Sequence, residues 1–207
     1  MRKATDRADL LIQLEELVRQ AEHGRILVLH GVDGVGQRDL VSQLRESVHG
    51  KSLVLEADCS SQNPLIDLIR ALAKAGPEAC CQNALTAFLS ENTSEQDPEV
   101  QSLMAMVRSR DVQVDRYESL RRLLCDAASR QRVVVAMHNV HLADQDTQAA
   151  MNYLVEDMAG NHAVQRIGGR DVARPVLVFT LCDDGPKGRA LISDLKSHAG
   201  IEMVSLQ

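Results

Sequence analysis

A glycine-rich loop between a predicted strand and a predicted helix constrains the fold of this chain more than any other feature. Residues 25–30 read RILVLH, an almost entirely apolar run, and the residues that follow, 31–38, read GVDGVGQR. The glycines have the spacing of a phosphate-binding loop, G-x-x-x-x-G-K-[S/T], in which backbone N–H groups and a helix N-terminus face an anion. The pattern predicts a strand–loop–helix unit that can hold phosphate. The alternative is an ordinary glycine-rich turn.

Two positions of this loop lack the residues that phosphate chemistry uses. Gln37 stands where a lysine would place a charge on the terminal phosphates, and Arg38 stands where a serine or threonine hydroxyl would hold magnesium. The Gln37 amide can donate a hydrogen bond but carries no charge. The Arg38 guanidinium carries charge but would repel a metal ion. The loop therefore predicts the fold of a phosphate site without its usual chemistry.

A second departure lies at the end of another predicted strand. The β-branched run 132–137 is followed by His138 and Asn139, at a place where strands of this kind end in one or two carboxylates. Magnesium prefers anionic oxygen, so neutral histidine and asparagine suit it poorly. His138, His141 and Cys182 could be interpreted as a metal site, but the sequence offers no fourth ligand. We expect no metal here.

Apolar periodicity predicts strands that alternate with helices. The strands are expected at 25–30, 52–57, 132–137, 175–181 and 201–206. The helices are expected at 5–22, from the loop to about residue 50, from 64 to about 75, and at 79–89, 99–109, 115–129, 144–158 and 186–198. The polar stretch 91–98 and residues 162–174 read as loops. This alternation predicts a parallel sheet with helices on both faces.

Four segments carry a resemblance to a known family. Arg7 and Leu10 match the family's opening motif V-G-R-E-x-E-L, and the glycine loop ends on Leu40 as in G-x-x-G-I-G-K-S-R-L. Residues 133–144 resemble h-h-h-h-D-D-L-H-W-A-D, and residues 176–184 resemble the sensor strand h-h-h-T-Y-R-D-D. On these motifs the chain resembles the AAA-type ATPase domain of the signal-transduction (STAND) P-loop NTPases. That group includes the origin-recognition-like AAA modules of large bacterial regulators.

The resemblance implies a three-layer α/β P-loop NTPase fold, with a five-stranded parallel sheet in the order 5-1-4-3-2 and helices on both faces. It implies one AAA/STAND-type core domain over residues 1–207, without a lid domain, which is compatible with an excerpt from a longer protein. Cys182 stands where the family has its sensor arginine, and Thr180 keeps the sensor threonine. Other positions that the family needs mainly for shape are kept: Gly31, Gly34, Gly36, His141, Asp144, Asp183 and Asp184.

The losses and retentions together predict a degenerate ATPase that acts as a regulatory or structural protein-interaction module. The first alternative is a signalling switch that binds ATP or ADP with slow or no hydrolysis, and the second is an active ATPase with substitute residues. The expected cofactor is none, or weakly bound ATP or ADP, and magnesium is not expected. The candidate nucleotide-site residues are Arg7, Gly31, Gly34, Gly36, Gln37, Arg38, His138, Asn139, Thr180 and Cys182.

Composition narrows the classes of partner. The net charge of −6 and the scarcity of aromatic residues (2%) argue against broad capture of nucleic acid or anionic membrane. The N-terminus lacks the apolar core of a signal peptide, and no apolar run approaches the ~18 residues that a membrane span needs. Five cysteines without a Cys-x-x-Cys pair suggest reduced thiols. We therefore expect a cytoplasmic protein whose partners are proteins or adjoining domains, and the family resemblance implies a bacterial one.

Overall fold

The computed structural model describes residues 7–20, 24–75, 116–159, 173–198 and 200–206. Strands and helices alternate in these ranges, as the sequence predicts. The helices are α1 (Arg7–Gln20), α2 (Gln37–Ser47), α3 (Pro64–Lys74), α4 (Arg116–Arg130), α5 (Gln145–Ala159) and α6 (Pro186–Leu195). The strands are β1 (Arg25–Gly31), β2 (Ser52–Asp58), β3 (Arg132–His138), β4 (Val176–Cys182) and β5 (Ile201–Ser205), and a short 3-10 helix covers Val140–Leu142. The helices predicted at 79–89 and 99–109, and the loop at 91–98, lie outside the described residues.

All strand pairs are parallel, and the sheet has the order β2-β3-β4-β1-β5. Read from the other edge, this is the predicted order 5-1-4-3-2, which is confirmed. β1 is an inner strand and pairs with β4 on one side and with the edge strand β5 on the other. In such a sheet the carboxyl ends of all strands meet at one edge, and loops that follow them come close together.

The sheet is covered on both faces, which makes three layers. α1 and α2 pack on one face against alternate residues of the central strands, including Leu27, Leu29 and Val178. The helices α3 to α6 pack on the other face against the intervening residues, including Val28, Val135 and Phe179. Nearly every residue of β1, β3 and β4 is buried, as expected for strands with helices on both sides.

The strands β1 to β4 each end one residue further toward the site than their apolar runs alone predict. β3 includes His138 and β2 includes Asp58, because these residues still pair across the two strands in register. Polar side chains are therefore held by the ladder itself rather than by a free loop. Within the described part of the chain, none of the helices combines the length and the apolar character needed to cross a membrane.

Candidate functional site

A cavity of about 300 Å³ lies at the carboxyl edge of the sheet. It is bounded by the glycine loop, the first turn of α2, and the ends of β3 and β4. The residues that line it are Asp33, Gly34, Gly36, Gln37, Arg38, Asp39, His138, Asn139, Thr180, Leu181 and Cys182. The structure thus brings most of the predicted site residues to one cavity. Gly31 and Arg7 touch its walls, as described below.

The backbone of the loop keeps a shape that requires glycine. Gly34 and Gly36 have φ angles of 76° and 90°, in the left-handed region that residues with a Cβ rarely adopt. Gly31 needs its small size instead, since a Cβ there would lie 2.7 Å from the carbonyl oxygen of Leu206. These conformations carry the chain from β1 into α2. They bring the loop and the start of α2 to the wall of the cavity.

The Gln37 side chain is bonded to the protein's own backbone. Its Nε2 lies 3.4 Å from the carbonyl oxygen of Gly31 and 3.3 Å from that of Leu181, and it donates to both. The amide therefore satisfies two main-chain acceptors at the ends of β1 and β4. It adds no charge to the cavity.

Arg38 forms an ion pair with Asp58, the last residue of β2. The other oxygen of this carboxylate, Oδ1, accepts hydrogen bonds from Ser60 N (2.9 Å), Ser60 Oγ (2.7 Å) and Asn139 Nδ2 (3.0 Å). Burial would raise the pKa of Asp58, but the bonds from Ser60, Asn139 and Arg38 outweigh it and hold the pKa well below its usual range. Asp58 is a fully engaged carboxylate at neutral pH.

His138 is 2% exposed and lies between a carboxylate and a hydroxyl. Its Nε2 is 3.2 Å from Glu56 Oε2, and its Nδ1 is 3.4 Å from Thr180 Oγ1. The hydrogen bond from His138 lowers the pKa of Glu56 against the opposing effect of burial, and the nearby Arg45, 3.1 Å from Glu56 Oε1, lowers it further. Because an ionised carboxylate only accepts, His138 Nε2 carries the hydrogen.

Asn139 has a left-handed backbone, with φ 55°. Asparagine adopts this region more readily than most residues that carry a Cβ. Its backbone N–H donates to Thr180 Oγ1 (3.3 Å), and its side-chain amide donates to Asp58. A strained backbone held by neighbours is common at functional sites, and here it ties β2, β3 and β4 together at the cavity.

Cys182 and His141 meet through a backbone bond. The Cys182 N–H donates to His141 Nδ1 (3.2 Å), and burial lowers the pKa of His141, which keeps this acceptor nitrogen unprotonated. His141 thus packs the loop after β3 against β4, as expected. Across the ranges that the structure describes, no group of three or more histidine, cysteine, aspartate or glutamate side chains could hold a metal ion.

Arg7 reaches the loop from the start of α1. Its Nη2 lies 3.3 Å from the carbonyl oxygen of Gly36 and 3.5 Å from Asp39 Oδ2. The Arg7 guanidinium therefore lies beside the glycine loop.

The retained acidic residues of the family pattern bind neighbouring loops. Asp183 Oδ2 lies 3.0 Å from Nδ1 of the buried His30, which joins the ends of β4 and β1. Asp184 accepts from the Asp33 N–H (3.1 Å), and Asp144 accepts from Thr147 N (2.7 Å) at the start of α5. These contacts hold the loops in place at the carboxyl edge of the sheet.

The side chains at the family's magnesium positions do not suit magnesium in this cavity. Arg38 replaces the hydroxyl ligand with a cation, and Asp58, the carboxylate beside it, already accepts from its own neighbours on both oxygens. His138 and Asn139 supply the wrong donors for a hard ion.

Sequence reasoning missed two residues of the site, Glu56 and Asp58. Both belong to β2, for which the sequence predicts only a strand. A signal was present: residues 55–58 read LEAD, and the predicted sheet order places the end of β2 beside His138. Carboxylates lost from β3 thus have counterparts on the neighbouring strand, where they bind Arg38 and His138.

Solved structures share this fold. The Aeropyrum pernix ORC2 protein, solved as ADPNP-ADP complexes, aligns with a TM-score of 0.53 at 12% identity, over 99% of this chain and 48% of that one. Cdc6p from Pyrobaculum aerophilum aligns with a TM-score of 0.47 at 13% identity, over 100% of this chain and 46% of that one. The chain spans about half the length of these proteins. Comparison with curated proteins finds no match.

The family described as the AAA ATPase domain matches residues 5–165, which include the glycine loop, β2, β3 and the residues His138 and Asn139. The match covers most of the chain, and the architecture and the strand order agree with it. The chain belongs to the AAA ATPase domain family.

Proposed function

We propose that this domain is a degenerate AAA module of the STAND type that does not hydrolyse ATP and acts as a regulatory or structural protein-interaction module. One observation carries the proposal. The side chains at the positions of the catalytic groups are bonded inside the protein: Gln37 to two carbonyls, Arg38 to Asp58, and His138 to Glu56. Side chains engaged in this way stabilise the edge of the sheet instead of a transferring phosphate.

Magnitudes favour loss of hydrolysis over slow turnover. Phosphoryl transfer depends almost entirely on positioning and on charge stabilisation by lysine and metal. Loss of one major charge-stabilising group costs roughly 10²–10³ in rate. The lysine, the hydroxyl and both acidic positions are replaced here by Gln37, Arg38, His138 and Asn139. Their combined loss leaves backbone amides as the main remaining contacts.

The setting of the module follows from its size and charge. The domain covers about half of the ORC2 protein that shares its fold, so adjoining domains or a protein partner are the natural counterparts of a core that does not turn over nucleotide. A net charge of −6 does not favour nucleic acid. A cytoplasmic location in a bacterium is part of the proposal and rests on the family resemblance.

A second function is favoured by the cavity itself. The volume of about 300 Å³ and the left-handed Gly34 and Gly36 leave a glycine-lined space beside a helix N-terminus, where phosphate groups bind in other proteins. The ORC2 protein of the same fold was solved with nucleotides. This reading makes the domain a switch that binds ATP or ADP, with slow or no hydrolysis.

Titration of the purified protein with ATP and ADP, with and without magnesium, tests both functions, with phosphate release measured in parallel. We expect no magnesium-dependent hydrolysis above background and a dissociation constant for ATP weaker than ~10 µM, about −7 kcal/mol. Turnover that disappears in the Gly36→Asp variant, which places a carboxylate in the loop, would overturn the proposal. Tighter binding without turnover would favour the switch.

A further inference from the structure

Asp58 holds two side chains of the cavity at once. It pairs with Arg38 from the first turn of α2 and accepts from Asn139 at the end of β3. Both of these residues line the cavity, and they belong to different elements of the sheet edge. A single carboxylate thus sets the position of the cationic side chain that stands where the metal-binding hydroxyl would be.

Arg38 is free to move once this pair is broken. Its side chain is 58% exposed, on a long stem, and the Asp58 side chain is 25% exposed. Pairs that reach solvent contribute less to stability than buried pairs, and Arg38 is the more exposed partner of this one. A guanidinium matches the geometry of phosphate oxygens and binds them through two parallel hydrogen bonds.

We propose that the Arg38–Asp58 pair is an autoinhibitory contact that withholds Arg38 from a phosphate-bearing ligand in this cavity. When Asp58 is neutralised or displaced, Arg38 turns to the ligand and the cavity binds a pyrophosphate group without magnesium. This inference rests on the proposed loss of metal-dependent chemistry, and it adds a contact that keeps the cavity from binding phosphate.

The charges around the cavity agree with this arrangement. Asp33 and Asp39 also line it, and Arg7 lies close enough to Asp39 to offset one of them. With Arg38 bound to Asp58 and Arg7 beside Asp39, the Asp33 carboxylate still faces an incoming anion. Removing the Asp58 charge both releases Arg38 and reduces the repulsion that the anion meets, so the two effects act in the same direction.

The test is calorimetric titration of inorganic pyrophosphate and of ADP, in the presence of EDTA, into the wild-type protein and the Asp58→Asn variant. We expect Asp58→Asn to bind pyrophosphate at least about tenfold more tightly than wild type. The control is Asp194→Asn, which makes the same change of charge on the exposed face of α6, and we expect it to match wild type. Adding Arg38→Gln to the Asp58→Asn variant should remove the gain.

Each other outcome overturns the inference. An unchanged affinity in a folded Asp58→Asn variant, a gain that requires magnesium, or a gain that survives Arg38→Gln would each do so. Circular dichroism establishes folding, and Asp58→Ser gives a second neutral variant if the asparagine does not fold. ATP turnover by the wild-type protein would overturn the proposed function but would leave the pyrophosphate result intact, so the two failures can be distinguished.

Discussion

The two halves of the cavity differ in what they retain of a phosphate site. The glycine loop keeps its backbone, with Gly34 and Gly36 in left-handed conformations and α2 starting directly after them. The strand ends keep their position but carry other side chains: β3 ends at His138 and is followed by Asn139, and both are held by carboxylates of β2. One half is preserved as shape, and the other is rebuilt as an internal network of charges and hydrogen bonds.

This difference separates what the fold needs from what the reaction needs. The loop must turn sharply between β1 and α2 whether or not a ligand is bound, so its glycines remain useful. A carboxylate at the end of β3 has no such structural need. At this edge of the sheet, Glu56 and His138 bond each other instead.

The largest effect is expected from placing an acidic side chain at the end of β3. His138→Asp places a carboxylate beside Glu56, at a position that is 2% exposed. The substitution also removes the histidine that bonds Glu56. We expect the free energy of unfolding to fall by about 3–5 kcal/mol at neutral pH, as for an uncompensated buried charge. Urea denaturation measures it.

The pH dependence of the His138→Asp variant provides a further check. Burial and the negative Glu56 should raise the pKa of the new carboxyl above its unfolded value, so the variant should recover stability as pH falls toward that value. The uncharged control, His138→Asn, should lose much less stability. Equal losses in the two variants would show that the rebuilt half does not exclude an acid electrostatically.

A smaller loss is expected from the preserved half. Gly36→Val puts a β-branched residue at φ 90°, with its Cβ 3.0 Å from Arg7 Nη1, and should reduce the free energy of unfolding by about 1–3 kcal/mol. Gly185→Val is the matched control, because Gly185 has φ −99° and no atom within 4 Å of an added Cβ. If both variants unfold at the same urea concentration, the loop is not held in the left-handed shape in solution.

The smallest effect is expected from restoring the lysine alone. Gln37→Lys can donate to the same carbonyls of Gly31 and Leu181, so stability should change by less than about 0.5 kcal/mol. Phosphate release should stay at background, because the strand ends still lack their acids. Turnover in this variant would show that the two halves are not independent and that a single residue silences the site.

Much of the fold could be predicted because its signals are local. Apolar runs gave the strands, and the loop joined β1 to α2. The strand order came from the family resemblance, and the order of the sheet confirms it. The neighbourhood of Gln37, Arg38, His138, Asn139, Thr180 and Cys182 followed because the carboxyl ends of parallel strands share one edge.

The partners of these side chains could not be predicted in the same way. His138 lies opposite Asp58 in the ladder, yet it bonds Glu56, two residues earlier on β2. Which carboxylate meets which base depends on rotamers and on sub-ångström placement, and no periodic pattern encodes these. The roles of the site residues toward a ligand stay predictions.

The position of β1 also affects how the chain can acquire this cavity. Arg25 at the start of β1 pairs at 2.6 Å with Glu202 on β5, 177 residues away, and the other neighbour of β1 is β4. A chain synthesised from its amino end makes β1 before the other strands of this sheet, and both strands that flank it follow only after β2 and β3. Contacts of such long separation form slowly. The glycine loop, although it lies within the first 40 residues, is therefore held in its final shape only near the end of folding.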